Sequence, residues 1–318
     1  MKFAGNLSTA ELLRPRMTTA EIKALLSLLD DPDPEVAAHV HHKVAALGEA
    51  VIPVVEEIWE SSLDPEEQHR LENLVHQLQF EGLQQRLAAW KEGGGEDLLE
   101  GMLLVNQYQY PDADLAALHR GLDEYYYEAW VMLRPGMHPF DQIKALNYVL
   151  FRQARFSANT QNFHSPANSV LSRVLESRRG NPLSLCVIYL LLARRLGMPL
   201  HGVNLPNLFV LTWKPPGGTG TGEAQFYVNA YNRGLLLTRE DIATYVQQLG
   251  LPEADLYFEP CSNLDIVRRA FRNLALSFEK LNEPEKASEV NLLLDVLGEE
   301  RAAPPDADDE EGAQEEED

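Results

Sequence analysis

Apolar residues recur every three or four positions through the first ninety residues, the spacing of one face of a helix. In "TTAEIKALLSLLDD", Ile22, Leu25, Leu26 and Leu29 share a face, and Thr18 or Thr19 stands where an N-cap is needed. "DPDPEV" interrupts the pattern, with Pro34 suited to the first turn of a second helix. That helix, "EVAAHVHHKVAALG", carries Val36, Val40, Val44 and Leu47 on one side and stops at Gly48. "AVIPVVEEIWESS" reads as a third short helix, and "HQLQFEGLQQRLAAW" as a continuation.

"KEGGGED" at 91–97 breaks the periodicity and marks a boundary. The stretch from Asp97 to Leu133 reads as two or three helices. Its aromatic run Tyr125, Tyr126, Tyr127 and Trp130 is expected to pack in a core. "RPGMHPF" is a turn and "DQIKALNYVLFRQARFS" a further helix. "NTQNFHSPANS" is an irregular loop leading into a helix over "SVLSRVLESR". Then comes "NPLSLCVIYLLLARRLGMP". Asn181 is placed as N-cap, Pro182 as first helical residue, and Gly197 with Pro199 as the stop. Apolar residues surround this helix on every side, which predicts that it is buried.

After Met198 the texture changes to strands. "HGVNLPNLFVLTW" and "AQFYVNAYNRGLLLT" are joined by the glycine-rich "KPPGGTGTGE". That loop lacks GK[ST] and a following helix, so it reads as a hairpin connection and not a phosphate cradle. "TREDIATYVQQLG" is a capped helix. "NLDIVRRAFRNLALSFEKLNEPEKASEVNLLLDVLG" is a helix pair broken at its Pro.

Composition narrows the function classes. Two distant cysteines give neither a disulfide framework nor a CxxC metal site. With no long apolar run and no secretory-type start, the expectation is a reduced, cytoplasmic protein that neither spans nor binds a membrane. The net charge is −22, and the nine carboxylates after Arg301 account for much of it. That segment is expected to be a disordered acidic tail. The remaining −13 disfavours binding nucleic acid through phosphate neutralisation. His39 and His42 have i, i+3 spacing but no third ligand nearby, so no metal is expected, and no cofactor.

The helix–"DPDPEV"–helix unit resembles a HEAT-type repeat, and the last helix pair a tetratricopeptide-like one. The segments "ANSVLSRVLESRRGNPLSLCVIYLLLARRLGMPLHGVNLPNLFVLTW" and "YVNAYNRGLLLTRED" carry a more specific resemblance. They make the span from about Asp141 to Gly298 similar to the transglutaminase-like superfamily, in its SirB-related branch. This resemblance implies an α+β, mostly helical chain. HEAT-like helices fill 1–92, and a transglutaminase-like core over 97–260 packs a central buried helix on a small antiparallel sheet. A tetratricopeptide-like pair follows at 261–299, and the acidic tail at 300–318.

It also implies that a Cys-His-Asp nucleophile falls on Cys186. The histidine position is then Leu208, in "PNLF" where relatives carry "PGHF", and the acid position is Asn229. Leucine can neither take a proton nor stabilise a thiolate. His164, in the loop before the helix, is the one candidate for a substitute base, since His201 lies beyond the helix's far end. The leading expectation is a non-catalytic interaction or regulatory module with protein partners. The alternative is a thiol acyltransferase or amidase-like hydrolase with a non-standard base. A third possibility is a ligand pocket whose polar contacts come from Asn181, Asn204, Asn207 and Asn229.

Overall fold

The computed structural model describes residues 17–29, 31–215, 226–252 and 254–298. The acidic segment after Arg301 and the glycine-rich loop beyond Pro215 lie outside the described residues. The chain divides into two compact units, residues 1–85 and 86–318.

In the first unit α1 (Thr19–Leu26) begins on Thr18, whose hydroxyl accepts from the Glu21 amide while Glu21 reaches back in a capping box. Asp33 caps α2 (Pro34–Leu47), with Pro34 in its first turn and Gly48 at a φ of 61° ending it. α3 (Ile52–Ser61) follows, and then α4 (Pro65–Glu92), whose last residues belong to the second unit. Ile22, Leu26, Val40, Val44, Val55, Leu74 and Leu78 form the core of this unit. His39, His41 and His42 are exposed on α2, and among the described residues no three potential ligands gather anywhere.

The second unit is mostly helical around one small sheet. α5 (Leu98–Gln109) and α6 (Leu115–Trp130) start on Asp97 and Asp114, each accepting a backbone N–H. Tyr125 is buried as expected. Tyr127 and Trp130, however, are 61% and 58% exposed, because the inward face of α6 is taken by Leu118, Leu122, Tyr125 and Ala129. α7 (Pro139–Asn147) runs into a single π-helical turn, Tyr148–Gln153, where a longer α-helix is predicted from sequence. Two-residue strands β1 (Ser157–Ala158) and β2 (Arg179–Gly180) pair in parallel on either side of α8 (Leu171–Ser177).

The predicted buried helix is α9 (Pro182–Arg195), in which every residue from Pro182 to Ala193 is buried. It packs on a four-stranded antiparallel sheet, β3 (Leu200–Leu205), β4 (Leu208–Trp213), β5 (Tyr227–Asn229) and β6 (Leu235–Leu237), in that order. Each of the two segments read as strands is thus a pair of strands. Pro206 and Asn207, the latter at a φ of 57°, turn β3 into β4. A short helical turn and Gly234, at a φ of 74°, turn β5 into β6.

α10 (Arg239–Gln248) covers one face of the sheet, where Ile242 and Val246 meet Val203, Leu205, Val210 and Tyr227. α11 (Asn263–Lys280) and α12 (Pro284–Val296) form the final pair, with α11 also packed on α5 and α9. No helix of the described residues is long and apolar enough to cross a membrane.

Candidate active site

The start of α9 is fixed by side chains, because a helix leaves its first amides unpaired. Asn181 Oδ1 accepts from the Ser184 amide at 2.8 Å, and Ser184 Oγ accepts from the Asn181 amide at 3.0 Å. Asn181 Nδ2 also donates to Ser169 Oγ at 3.1 Å, which ties the preceding loop to the helix. Further along, the fully buried Tyr189 donates to Asn147 Oδ1 at 3.0 Å, and Asn147 Nδ2 donates to the Gly234 carbonyl at 3.0 Å. The helix, the π turn and the β5–β6 connection are joined in this way.

Cys186 lies in the second turn and is fully buried. Its Sγ donates to the Phe209 carbonyl at 3.3 Å. Burial pushes the thiol up to about 12. The Ala230 amide and the Arg269 guanidinium oppose this only in part. The helix dipole fades beyond the first turn and brings no rescue. The thiol is therefore protonated at neutral pH, and the sulfur is an apolar core atom with a weak S–H donor.

The Cys186 sulfur lies beside the chain at the other two carried-over positions, but the side chains there turn elsewhere. Cys186 touches the carbonyl of the residue after Leu208 and the amide of the residue after Asn229. Leu208 itself packs into the cluster of Val203, Leu205, Val210, Ile242 and Val246, on the α10 side of the sheet. Its neighbour Phe209 points the other way, with its ring against Gly202 and beneath Arg269. Asn229 spends its oxygen on the Asn232 amide, capping the turn after β5.

His164 is not joined to this centre. It is exposed, edge-on to Phe163, in a loop held by Asn168, whose Nδ2 donates to the carbonyls of Asn162 and Phe163. None of the groups acting on the Cys186 thiol is an imidazole.

The asparagines proposed as polar contacts are otherwise engaged. Asn181 is a cap, and Asn207 forms the β3–β4 turn. Asn204 is neither cap nor turn but a mid-strand acceptor for Arg269, which also donates to the Leu205 carbonyl at 2.7 Å. Sequence reading missed Arg269 because it comes from a helix, 65 residues further along the chain than Asn204.

The second thiol, Cys261, lines a separate cleft of about 620 Å³ with His201, Arg194 and Asn263. It is half-buried, and desolvation, with Asp265 adding to it, pushes it up to about 12 as well. Burial lowers His201 from its ordinary value.

A buried helix packed on an antiparallel sheet, its cysteine facing β4 and the turn after β5, is the architecture expected of transglutaminase-like proteins. The model of the transglutaminase-like superfamily matches residues 116–272. The chain belongs to the UPF0162 family: it is 31% identical over 201 residues to a UPF0162 protein of Xylella fastidiosa strain 9a5c, covering 60% of this chain and 68% of that one. A UPF0162 protein of Vibrio cholerae is 28% identical over 138 residues, covering 43% of this chain and 48% of its own. F-box only protein 21 of Homo sapiens is 34% identical over 108 residues, which are 33% of this chain and 17% of that protein. No solved structure matches.

Proposed function

We propose that this chain is a non-catalytic member of the SirB-related branch, acting in the cytoplasm as a protein-interaction module. The observation that carries the reading is the sealed state of Cys186 beside two helper positions filled by a packed leucine and a capping asparagine. Nucleophilic catalysis by a thiol needs a thiolate and a base within hydrogen-bond reach. Neither is available to a fully buried sulfur whose hydrogen bond goes to a backbone carbonyl.

Other features support a binding role. The stretches similar to this chain make up 17% of F-box only protein 21 and 68% of a UPF0162 protein, so related segments occur in chains of quite different build. The HEAT-like helices of the first unit and the tetratricopeptide-like pair α11–α12 are of the kind that presents binding surfaces.

The test is chemical. Amine incorporation into a glutaminyl peptide and ammonia release from it are measured for the native chain and for Cys186→Ala. Both proteins are expected to match the protein-free rate. Turnover that is present in the native chain and lost in Cys186→Ala would overturn the reading in favour of a thiol acyltransferase or amidase.

A further inference from the structure

The chain has 49 acidic residues against 27 basic ones, yet between Lys144 and Arg194 it carries five arginines and a single carboxylate, Glu176. Glu176 is already taken by Arg173 at 2.7 Å. The other four, Arg152, Arg155, Arg178 and Arg179, are exposed.

The backbone gathers them, with Arg233, around the start of α9. The Ser157 amide donates to the Arg178 carbonyl at 2.9 Å, and Ser157 pairs with Arg179 across the β1–β2 ladder. Arg155 lies two residues before Ser157. The helical turn Ala230–Asn232 packs on β1, and Arg233 follows it directly. The bond from Asn147 to Gly234 ties that corner to the π turn that holds Arg152. Among the described residues none of these five has a carboxylate partner. The contact Arg178 does make is with the Tyr125 hydroxyl.

A second observation concerns the backbone. Five non-glycine residues of the described chain have positive φ, and three of them are Arg155 (62°), Arg178 (58°) and Arg233 (53°). The other two are asparagines, which hold this conformation more readily. Glycine would occupy all three arginine positions with less strain. Three neighbouring exposed sites thus each set a guanidinium on left-handed backbone that glycine would hold with less strain.

Guanidinium forks match carboxylates two bonds at a time. The patch is small and set in an acidic chain. A long polyanion such as nucleic acid would be repelled beyond its edges, whereas a short acidic stretch would not. We propose that this arginine cluster is the docking surface for a short acidic segment of a partner protein. The proposal rests on the interaction-module reading and names the chemistry of the partner.

The test is fluorescence anisotropy of a labelled Glu/Asp-rich peptide with the full chain, beside a Gln/Asn peptide of equal length and a short single-stranded oligonucleotide. The acidic peptide is expected to bind, and to bind less tightly as salt is raised. Arg155→Gly/Arg178→Gly/Arg233→Gly is expected to weaken it about tenfold or more while the melting temperature holds or rises. Arg152→Gln/Arg179→Gln, at ordinary backbone angles, is the second variant and should weaken it in the same direction.

Undiminished binding by both variants, equal binding of the Gln/Asn peptide, or preference for the oligonucleotide would each overturn the proposal. So would binding seen only after removal of residues 302–318, which would make the chain's own acidic run the occupant. Absence of peptide binding together with an inert Cys186 sinks this proposal and leaves the non-catalytic reading standing.

Discussion

Replacing Gly234 by alanine is expected to cost the second unit about 3 kcal/mol or more. Gly234 has a φ of 74°, and an added Cβ would lie 1.9 Å from Asn147 Oδ1. An L-residue in left-handed backbone costs roughly 1–2 kcal/mol. Moving Asn147 also takes from the buried Tyr189 hydroxyl its 3.0 Å acceptor and leaves it the longer 3.4 Å bond to the Ile143 carbonyl, for about 1 kcal/mol or more in addition. For a unit of this size the sum is a fall of roughly 6–12 °C in melting temperature. Urea unfolding should show a lower midpoint at an unchanged m-value. A loss below about 1 kcal/mol would mean that Asn147 does not lock the hairpin to α9.

Phe209→Ala is expected to cost about 3–5 kcal/mol, the range for deleting a buried ring without collapse of the site. The ring is fully buried and fills the space above Gly202, where even a methyl group would meet its Cζ at 2.6 Å. Gly202 has no side chain to fill the hole and Arg269 is held by Asn204 and Leu205, so among these neighbours only Ile266 can shift toward it. Because the Phe209 carbonyl holds the Cys186 thiol, the same variant bears on reactivity. If labelling of Cys186 proceeds only through opening of the fold, a loss of 3 kcal/mol raises its rate about a hundredfold. Denaturant melts and timed alkylation of the variant check the two effects together.

The architecture of the helices was legible because their signals are local. Thr18, Asn181, Thr238 and Ser262 each stand three residues before a side chain that completes a capping box, and all four boxes form. The all-round apolar pattern after Pro182 marked α9 as buried, and the Pro in "LNEPEKA" separated α11 from α12. The strands were less legible. Pro206-Asn207 and the turn before Gly234 divide each apolar run in two, and β1 and β2 are too short to carry any period.

The site was legible as a set of positions and not as an environment. Resemblance pointed to Cys186, Leu208 and Asn229, and the Cys186 sulfur meets the backbone of Phe209 and Ala230, the residues that follow the latter two. What suppresses the thiol is burial by residues far apart in sequence, which no local pattern encodes. The exposed Tyr127 and Trp130 were misread for a related reason. Which face of an aromatic run turns inward is decided by the helices packed against it. The arginine cluster escaped notice because the strand pairing that assembles it involves only two residues on each side.

The central claim is that the sulfur of Cys186 is sealed and un-ionised, and one measurement tests it directly. Cys261→Ser removes the other thiol, and iodoacetamide labelling of the folded variant is followed across pH with and without denaturant. The account predicts that native Cys186 stays unlabelled through neutral pH and reacts only in step with unfolding. Rapid labelling of the native chain, with a midpoint at or below the roughly 8.5 of free cysteine, would contradict it and return Cys186 to the role of a nucleophile.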